Sequence, residues 1–83
     1  MKQDEHLARE MKIYGTQSPE VHKELDEFYS RYGYAHRRFR HHLEYVLEKA
    51  QKGEWNSTQC RAAILHIMDD DNEFKLRLQI EYI

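Results

Sequence analysis

The chain contains few of the residues that stabilise small secreted domains or build nucleotide sites. Cys60 is the only cysteine in 83 residues, so no disulfide can form within the chain. A single cysteine is typical of a protein from a reducing compartment. The only glycines are Gly15, Gly33 and Gly53, which excludes a phosphate-binding loop and a dinucleotide-binding fingerprint. A domain of this length is marginally stable alone and often relies on a metal ion or a second copy.

Long apolar segments and a strong excess of one charge are also absent. No apolar run approaches the roughly 20 residues that a membrane span requires. Residues 1–5 are polar, unlike the start of a secretory signal. The formal net charge is −2, which gives no overall attraction to nucleic acid or to anionic membranes. We therefore predict a cytoplasmic protein that binds no membrane, with nucleic-acid binding through the basic stretch 36–42 as a disfavoured alternative.

Apolar residues at helical spacing predict a mainly α protein, with four short helices in a compact bundle. Ser18 is placed to cap the second helix and Pro19 suits its first turn. Gly15, Gly33 and Gly53 are placed to end helices in a left-handed conformation. The expected helices cover residues 4–14, 19–32, 36–52 and 56–70.

The C-terminal residues follow a different pattern. Apolar and polar residues alternate strictly from Phe74 to Tyr82, which is the period of a β-strand. No second strand is predicted, so the strand would pair with another chain, most simply the same segment of a second copy. The sequence thus predicts a helical histidine-rich domain over 1–71 and a dimerisation strand over 72–83, with pairing through 74–82. The alternative is that the alternation is fortuitous and the segment is a short helix or disordered.

Histidine and carboxylate residues recur four positions apart, which places them on one face of a helix. Such a pair can give one nitrogen and one oxygen to a cation, or the carboxylate can fix the imidazole tautomer. The alternative for each pair is a hydrogen bond on the helix surface. Among the six histidines, the pairs are His6 with Glu10, His22 with Asp26, and His66 with Asp70.

The third predicted helix adds further histidines to this set. If residues 36–52 form one continuous helix, His36 and His42 flank its apolar face and His41 points to water. The inward residues would be Phe39, Leu43, Val46, Leu47 and Ala50. The predicted ligands of a divalent zinc, manganese or iron ion are therefore His22, Asp26, His36, His42, His66 and Asp70.

The order of these residues resembles a family of small histidine-rich bacterial and phage proteins of unknown function. That family shows the pattern H-D-x-x-D, then R-H-R-x-x-R-H-H, then Q-H-x-x-x-D, and the resemblance covers residues 5–70. The matching stretches here are 22–26, 35–42 and 65–70, with Lys23, Ala35 and Leu65 departing from the pattern. The resemblance implies that the histidines act together, and it implies no activity.

Two functions from different classes fit these observations. One is a metal-binding domain that acts as a metal-dependent phosphoester hydrolase, with Arg37, Arg38 and Arg40 holding the phosphate. The other is a non-catalytic dimeric interaction or inhibitor module that binds a protein partner through the alternating segment. Catalytic residues are not identified by the sequence.

Overall fold

The computed structural model describes residues 2–27, 29–33 and 40–81, with residues 30 and 73–81 described by their backbone alone. These residues are mainly helical, as predicted. In chain order the helices are α1 (Gln3–Tyr14), α2 (Pro19–Leu25), α3 (Tyr29–Tyr32), α4 (Leu43–Gln51) and α5 (Ser57–Glu81). Among the described residues, no helix has the length and apolar composition needed to cross a membrane.

The first helix ends where the sequence predicts. Gly15 adopts the left-handed conformation, with a φ of 69°, and its N–H donates to the carbonyl of Met11 at 2.9 Å. This geometry satisfies one of the open carbonyls at the end of the helix, and glycine adopts it without the strain that a Cβ would add.

The second predicted helix is interrupted. Helix α2 ends at Leu25, and the chain turns through Asp26 and Glu27 before α3. The side-chain amide of Gln3 donates to the carbonyl of His22 at 2.9 Å and to Oδ2 of Asp26 at 2.7 Å. Gln3 thus satisfies a carbonyl of the last turn of α2 and holds the side chain of Asp26, which lies just beyond the end of the helix.

The third predicted helix is interrupted at residues 41–42, although Arg40 is helical; residues 36–39 lie outside the described part. His42 is extended, with φ −135° and ψ 146°, and α4 starts at Leu43. The helical phase predicted over 36–52 is therefore wrong for this part of the chain. Val46 is buried as predicted, but Leu43 and Leu47 are each 59% exposed, and Ala50 is also exposed. Phe39, another predicted core residue, lies outside the described residues.

Helix α5 is longer than the predicted fourth helix. Its N-terminus is capped by two reciprocal hydrogen bonds, as in a capping box. The Gln59 N–H donates to Asn56 Oδ1 at 2.9 Å, and the Asn56 N–H donates to Gln59 Oε1 at 2.8 Å. The backbone then stays helical to Glu81, so the predicted strand over 72–83 is not confirmed, and residues 82–83 lie outside the described part. Within one chain a helix satisfies these backbone groups locally, whereas a strand requires a partner. Pairing with a second copy through 74–82 stays a prediction.

The hydrophobic core lies where α2 and α4 pack on α5. Helix α5 contributes Ala62 and Ala63, whose small side chains let the neighbouring helices approach closely. Trp55 closes one end against Tyr45, with ring centroids 5.8 Å apart. The other buried members are Val21, Leu25, Val46 and Ile67. Helix α1 contacts α2 and α5, and it brings polar rather than apolar side chains to the interior.

Candidate metal centre

The interior holds an unusual number of polar side chains for so small a domain. Of the six largest fully buried side chains, four are polar or charged, namely His6, Glu10, His22 and His66. Burying such groups costs free energy unless they are paired. A polar cluster therefore occupies part of the volume that apolar side chains fill in an ordinary core.

Four separate segments supply this cluster. Helix α1 gives two residues one turn apart, and helix α5 gives two more in the same relation. Helix α2 and the turn after it give one side chain each, and the non-helical residues before α4 add one. The members are His6 and Glu10, His22 and Asp26, His41, and His66 and Asp70.

Four of these side chains form a compact group of two nitrogens and two oxygens. His66 Nε2 lies 3.2 Å from Asp26 Oδ1 and 3.3 Å from Asp70 Oδ2. His41 Nε2 lies 3.4 Å from the same Asp26 oxygen and 3.1 Å from the same Asp70 oxygen. A tetrahedral zinc ion with bonds of about 2.0–2.1 Å separates its ligand atoms by about 3.3–3.4 Å. The four nitrogen–oxygen distances are close to the edge lengths of such a site, and all four ligand atoms lie within 4.8 Å of one another.

A second group, formed by His6, His22 and His66, has nitrogens that are also close together but a geometry that does not suit an ion. The three rings are nearly parallel, with interplanar angles of 11–22°, and His6 is stacked on His66 with centroids 3.5 Å apart. An imidazole binds a metal in the plane of its ring, so the lone pairs of the stacked His6 and His66 rings do not converge on one ion. His41 and His66 differ in this respect, because their rings are inclined by 60° with centroids 5.0 Å apart.

The charges of the four-residue group are strongly coupled. Burial alone would raise the pKa of Asp70, but the imidazoles of His41, His6 and His66 hold it well below its usual range. Burial alone would lower the pKa of His41, but the carboxylates of Asp26 and Asp70 raise it. In the absence of a metal, the group therefore favours ionised Asp70 beside protonated His41. A divalent cation can take the place of that proton.

A chain of hydrogen bonds runs from α1 to the same group. Glu10 accepts from the N–H and hydroxyl of Ser18, both at 2.9 Å, and from the Thr16 hydroxyl at 2.7 Å. His22 Nε2 lies 2.8 Å from Glu10 Oε1, and His22 Nδ1 lies 2.9 Å from His66 Nδ1. Burial opposes ionisation of Glu10, but these hydrogen bonds lower its pKa. Burial also lowers the pKa of His22, more than Glu10 raises it.

The predicted role of Ser18 as a capping residue is corrected by this network. Ser18 does precede α2, but its side chain makes no capping hydrogen bond to the helix. Its hydroxyl donates to Glu10. This hydrogen bond to a buried carboxylate is charge-assisted and therefore stronger than one between neutral groups.

The structure brings together four of the six predicted ligands. Asp26, His66 and Asp70 belong to the four-residue group, and His22 contacts it through His66. His36 lies outside the described residues. The sixth, His42, is exposed and precedes α4.

The sequence does not predict that His41 belongs to the cluster. His6 and Glu10 are predicted to form a pair, but they are not among the predicted ligands. We expected His41 to face water, but it is buried because residues 41–42 are not helical and His42 is extended. No sequence pattern marks it as different from His42. His6 and Glu10 were marked by their spacing, and both prove to be fully buried beside the group.

The arginines predicted to hold a phosphate are only partly described. Arg37 and Arg38 lie outside the described residues. Arg40 Nη1 donates to the carbonyl of Glu24 at 2.8 Å and to the carboxylate of Glu27. Arg40 thus ties the chain before α4 to the end of α2, next to the turn that carries Asp26.

Comparison of the chain with protein-family models, with curated proteins and with solved structures found no match. The resemblance to the histidine-rich bacterial and phage family stays a prediction. The function is therefore argued from the site alone.

Proposed function

We propose that the protein is a small helical metal-binding domain that holds one divalent ion, zinc, between Asp26, His41, His66 and Asp70. The observation that carries this proposal is the set of four nitrogen–oxygen distances, which all fall between 3.1 and 3.4 Å. Two imidazoles and two carboxylates are a ligand set that zinc accepts in tetrahedral geometry. Manganese and iron accept the same donors, but they prefer more ligands.

The charge of the site supports the same occupant. The side chains of Asp70, His41 and His66 are at most 3% exposed, so the ionised carboxylate of Asp70 is largely removed from water. Buried charges are tolerated when they are paired or bind a metal. Two carboxylates and a divalent cation give a neutral site when both histidines are neutral.

The ion would fasten segments that are distant in sequence. Its ligands come from the turn after α2, from the non-helical segment just before α4, which carries His41, and from the middle of α5. Such a site stabilises a small domain because the unfolded chain has no preformed arrangement of ligands. A structural role follows directly from this geometry.

One observation favours the further proposal of metal-dependent hydrolysis. The Asp26 side chain is 18% exposed, whereas the other three ligands are almost completely covered, so solvent reaches the site from the Asp26 side. A catalytic zinc activates a bound water as a nucleophile, and beside four protein ligands this water would have to enter as a fifth ligand on the Asp26 side. Hydrolysis of p-nitrophenyl phosphate and of its bis-ester by the zinc-loaded protein tests this. Equal rates for the protein and for the variant Asp26→Asn would exclude the hydrolase.

The metal site itself is tested by metal content. The protein is purified without a histidine tag, exposed to equal amounts of zinc, manganese and iron, desalted, and analysed for metals. We expect one zinc per chain in the native protein. His41→Gln should lose the zinc, and His42→Gln is the matched control that should retain it, because His42 is exposed. Absence of stoichiometric metal in the native protein, or unchanged zinc in His41→Gln, would overturn the proposal.

A further inference from the structure

We propose that Glu10 is a positioning residue that acts through His22 to fix the tautomer of His66, leaving the Nε2 of His66 free to bind the ion. This inference rests on the proposed metal site. It assigns a role to two buried residues that do not touch the ion.

The direction of the hydrogen bonds is set at Glu10. An ionised carboxylate only accepts hydrogen bonds. The Ser18 N–H and hydroxyl and the Thr16 hydroxyl all donate to it. The remaining neighbour, His22 Nε2 at 2.8 Å, must therefore also donate. This places a proton on Nε2 of His22.

The position of the proton on His22 then determines the position of the proton on His66, which is the metal ligand. A neutral His22 that carries its proton on Nε2 has an unprotonated Nδ1, which accepts a hydrogen bond. This Nδ1 lies 2.9 Å from His66 Nδ1, a distance that requires one proton between the two nitrogens. His66 Nδ1 must supply that proton. The lone pair of a neutral His66 is then on Nε2.

That lone pair points to a place where a cation is needed. His66 Nε2 is 3.2 Å from Asp26 Oδ1 and 3.3 Å from Asp70 Oδ2. Three electron-rich atoms at these distances repel one another unless a cation or a proton lies between them, and the tautomer set by His22 leaves no proton on Nε2 of a neutral His66. The relay of hydrogen bonds thus ends at the position proposed for the zinc.

The opposite direction has different consequences. If His66 carried its proton on Nε2 and donated it to Asp26, His22 Nδ1 would have to donate to His66. His22 would then carry two protons and would be a cation with a completely buried side chain, beside the rings of His6 and His66. Glu10 therefore favours the tautomer of His66 that binds metal, through a neutral His22.

The test measures zinc affinity by chelator competition in Glu10→Gln and His22→Leu. The first variant removes the charge, and the second removes the acceptor of the His66 proton. Removal of such outer hydrogen-bond partners typically weakens metal binding by about 10- to 100-fold. Glu24→Gln is the matched control, because Glu24 is a partly buried carboxylate bonded to Tyr45 and Lys49, with no role in the relay. It should bind zinc as the native protein does.

A second measurement reports on the relay and not on stability. In ¹⁵N-labelled zinc-loaded protein, imidazole NMR should show His22 protonated on Nε2 only. It should also show coupling across the hydrogen bond between the Nδ1 atoms of His22 and His66. His22 protonated on Nδ1, or native zinc affinity in both variants, would overturn the relay while leaving the zinc site intact. Failure of the native protein to bind zinc would instead overturn the proposed function.

Discussion

Replacing Asp70 by asparagine removes the negative charge that contacts three histidines of the polar cluster. Its two carboxylate oxygens lie 3.1–3.3 Å from Nε2 of His6, His41 and His66. Removing one partner from a buried ionic group costs about 3–5 kcal/mol, because the other charge is left uncompensated. We therefore expect Asp70→Asn to lower the free energy of unfolding of the metal-free protein by about this amount.

The same substitution should reduce the stabilisation by zinc. Free zinc at about 1,000 times its dissociation constant stabilises a native protein by about 4 kcal/mol. For a domain of this size, about 4–8 °C per kcal/mol converts this to a rise in Tm of about 16–32 °C. Asp70→Asn loses one of the four ligands, and its rise in Tm should shrink to a few degrees.

The neighbouring residue provides the control for this experiment. Asp69 pairs with Arg9 Nε at 3.2 Å, and the side chains of Arg9 and Asp69 are 41% and 9% exposed. Asp69→Asn should cost less stability than Asp70→Asn, because its partner Arg9 reaches solvent, and it should retain the full response to zinc. Thermal unfolding with and without zinc, followed by circular dichroism, compares the two variants. An equal rise in Tm in both variants would refute the assignment of Asp70 as a ligand.

Three further predictions follow from the hydrogen bonds and charges of the site. The raised pKa of His41 means that zinc must displace its proton, so affinity should fall about tenfold per pH unit below that pKa. Chelator competition between pH 6 and 8 measures this, and a flat profile would contradict it. The lowered pKa values of Glu10 and Asp70 give stability that is present above about pH 4 and is lost as the pH falls further, because the unfolded chain then binds more protons. Urea unfolding of the metal-free protein at pH 5, 4 and 3 tests the trend, and a midpoint that does not fall is the contrary result. Gln3→Ala removes the hydrogen bonds to the carbonyl of His22 and to Asp26, and should lower stability by about 1 kcal/mol and weaken zinc binding. The same titrations measure both effects, and unchanged values would show that Gln3 does not position Asp26.

The parts of the site that the sequence predicts are those set by local spacing. His66 and Asp70 lie one turn apart on a continuous helix, and the contact between them at 3.3 Å follows from that spacing. His6 and Glu10 share a face of α1 for the same reason. Which carboxylate each imidazole meets was not predictable, because it depends on how the helices pack.

His41 shows where this reasoning fails. The directions of the side chains on 36–52 were deduced from one continuous helix. Residues 41–42 are not helical, so the side chains before and after them do not follow one helical repeat. A single break of this kind reverses which of two adjacent histidines faces the interior. The apolar residues Leu43 and Leu47, expected inside, face outward for the same reason.

The C-terminal segment shows a different limit. Alternation from Phe74 to Tyr82 has the period of a strand, but a period describes only which side chains share a face. The backbone of residues 74–81 continues α5, whose hydrogen bonds are made within the segment itself. Local pairing of backbone groups outweighs a side-chain pattern when no second strand is at hand.

The most direct test of the metal site is a crystal structure of the zinc-loaded protein with diffraction data collected on both sides of the zinc absorption edge. We predict one anomalous peak per chain, about 2.0–2.1 Å from the nitrogen atoms of His41 and His66 and about 2.0–2.2 Å from one oxygen each of Asp26 and Asp70. A map with no anomalous peak among these four side chains, which instead remain hydrogen-bonded to one another, would contradict the account.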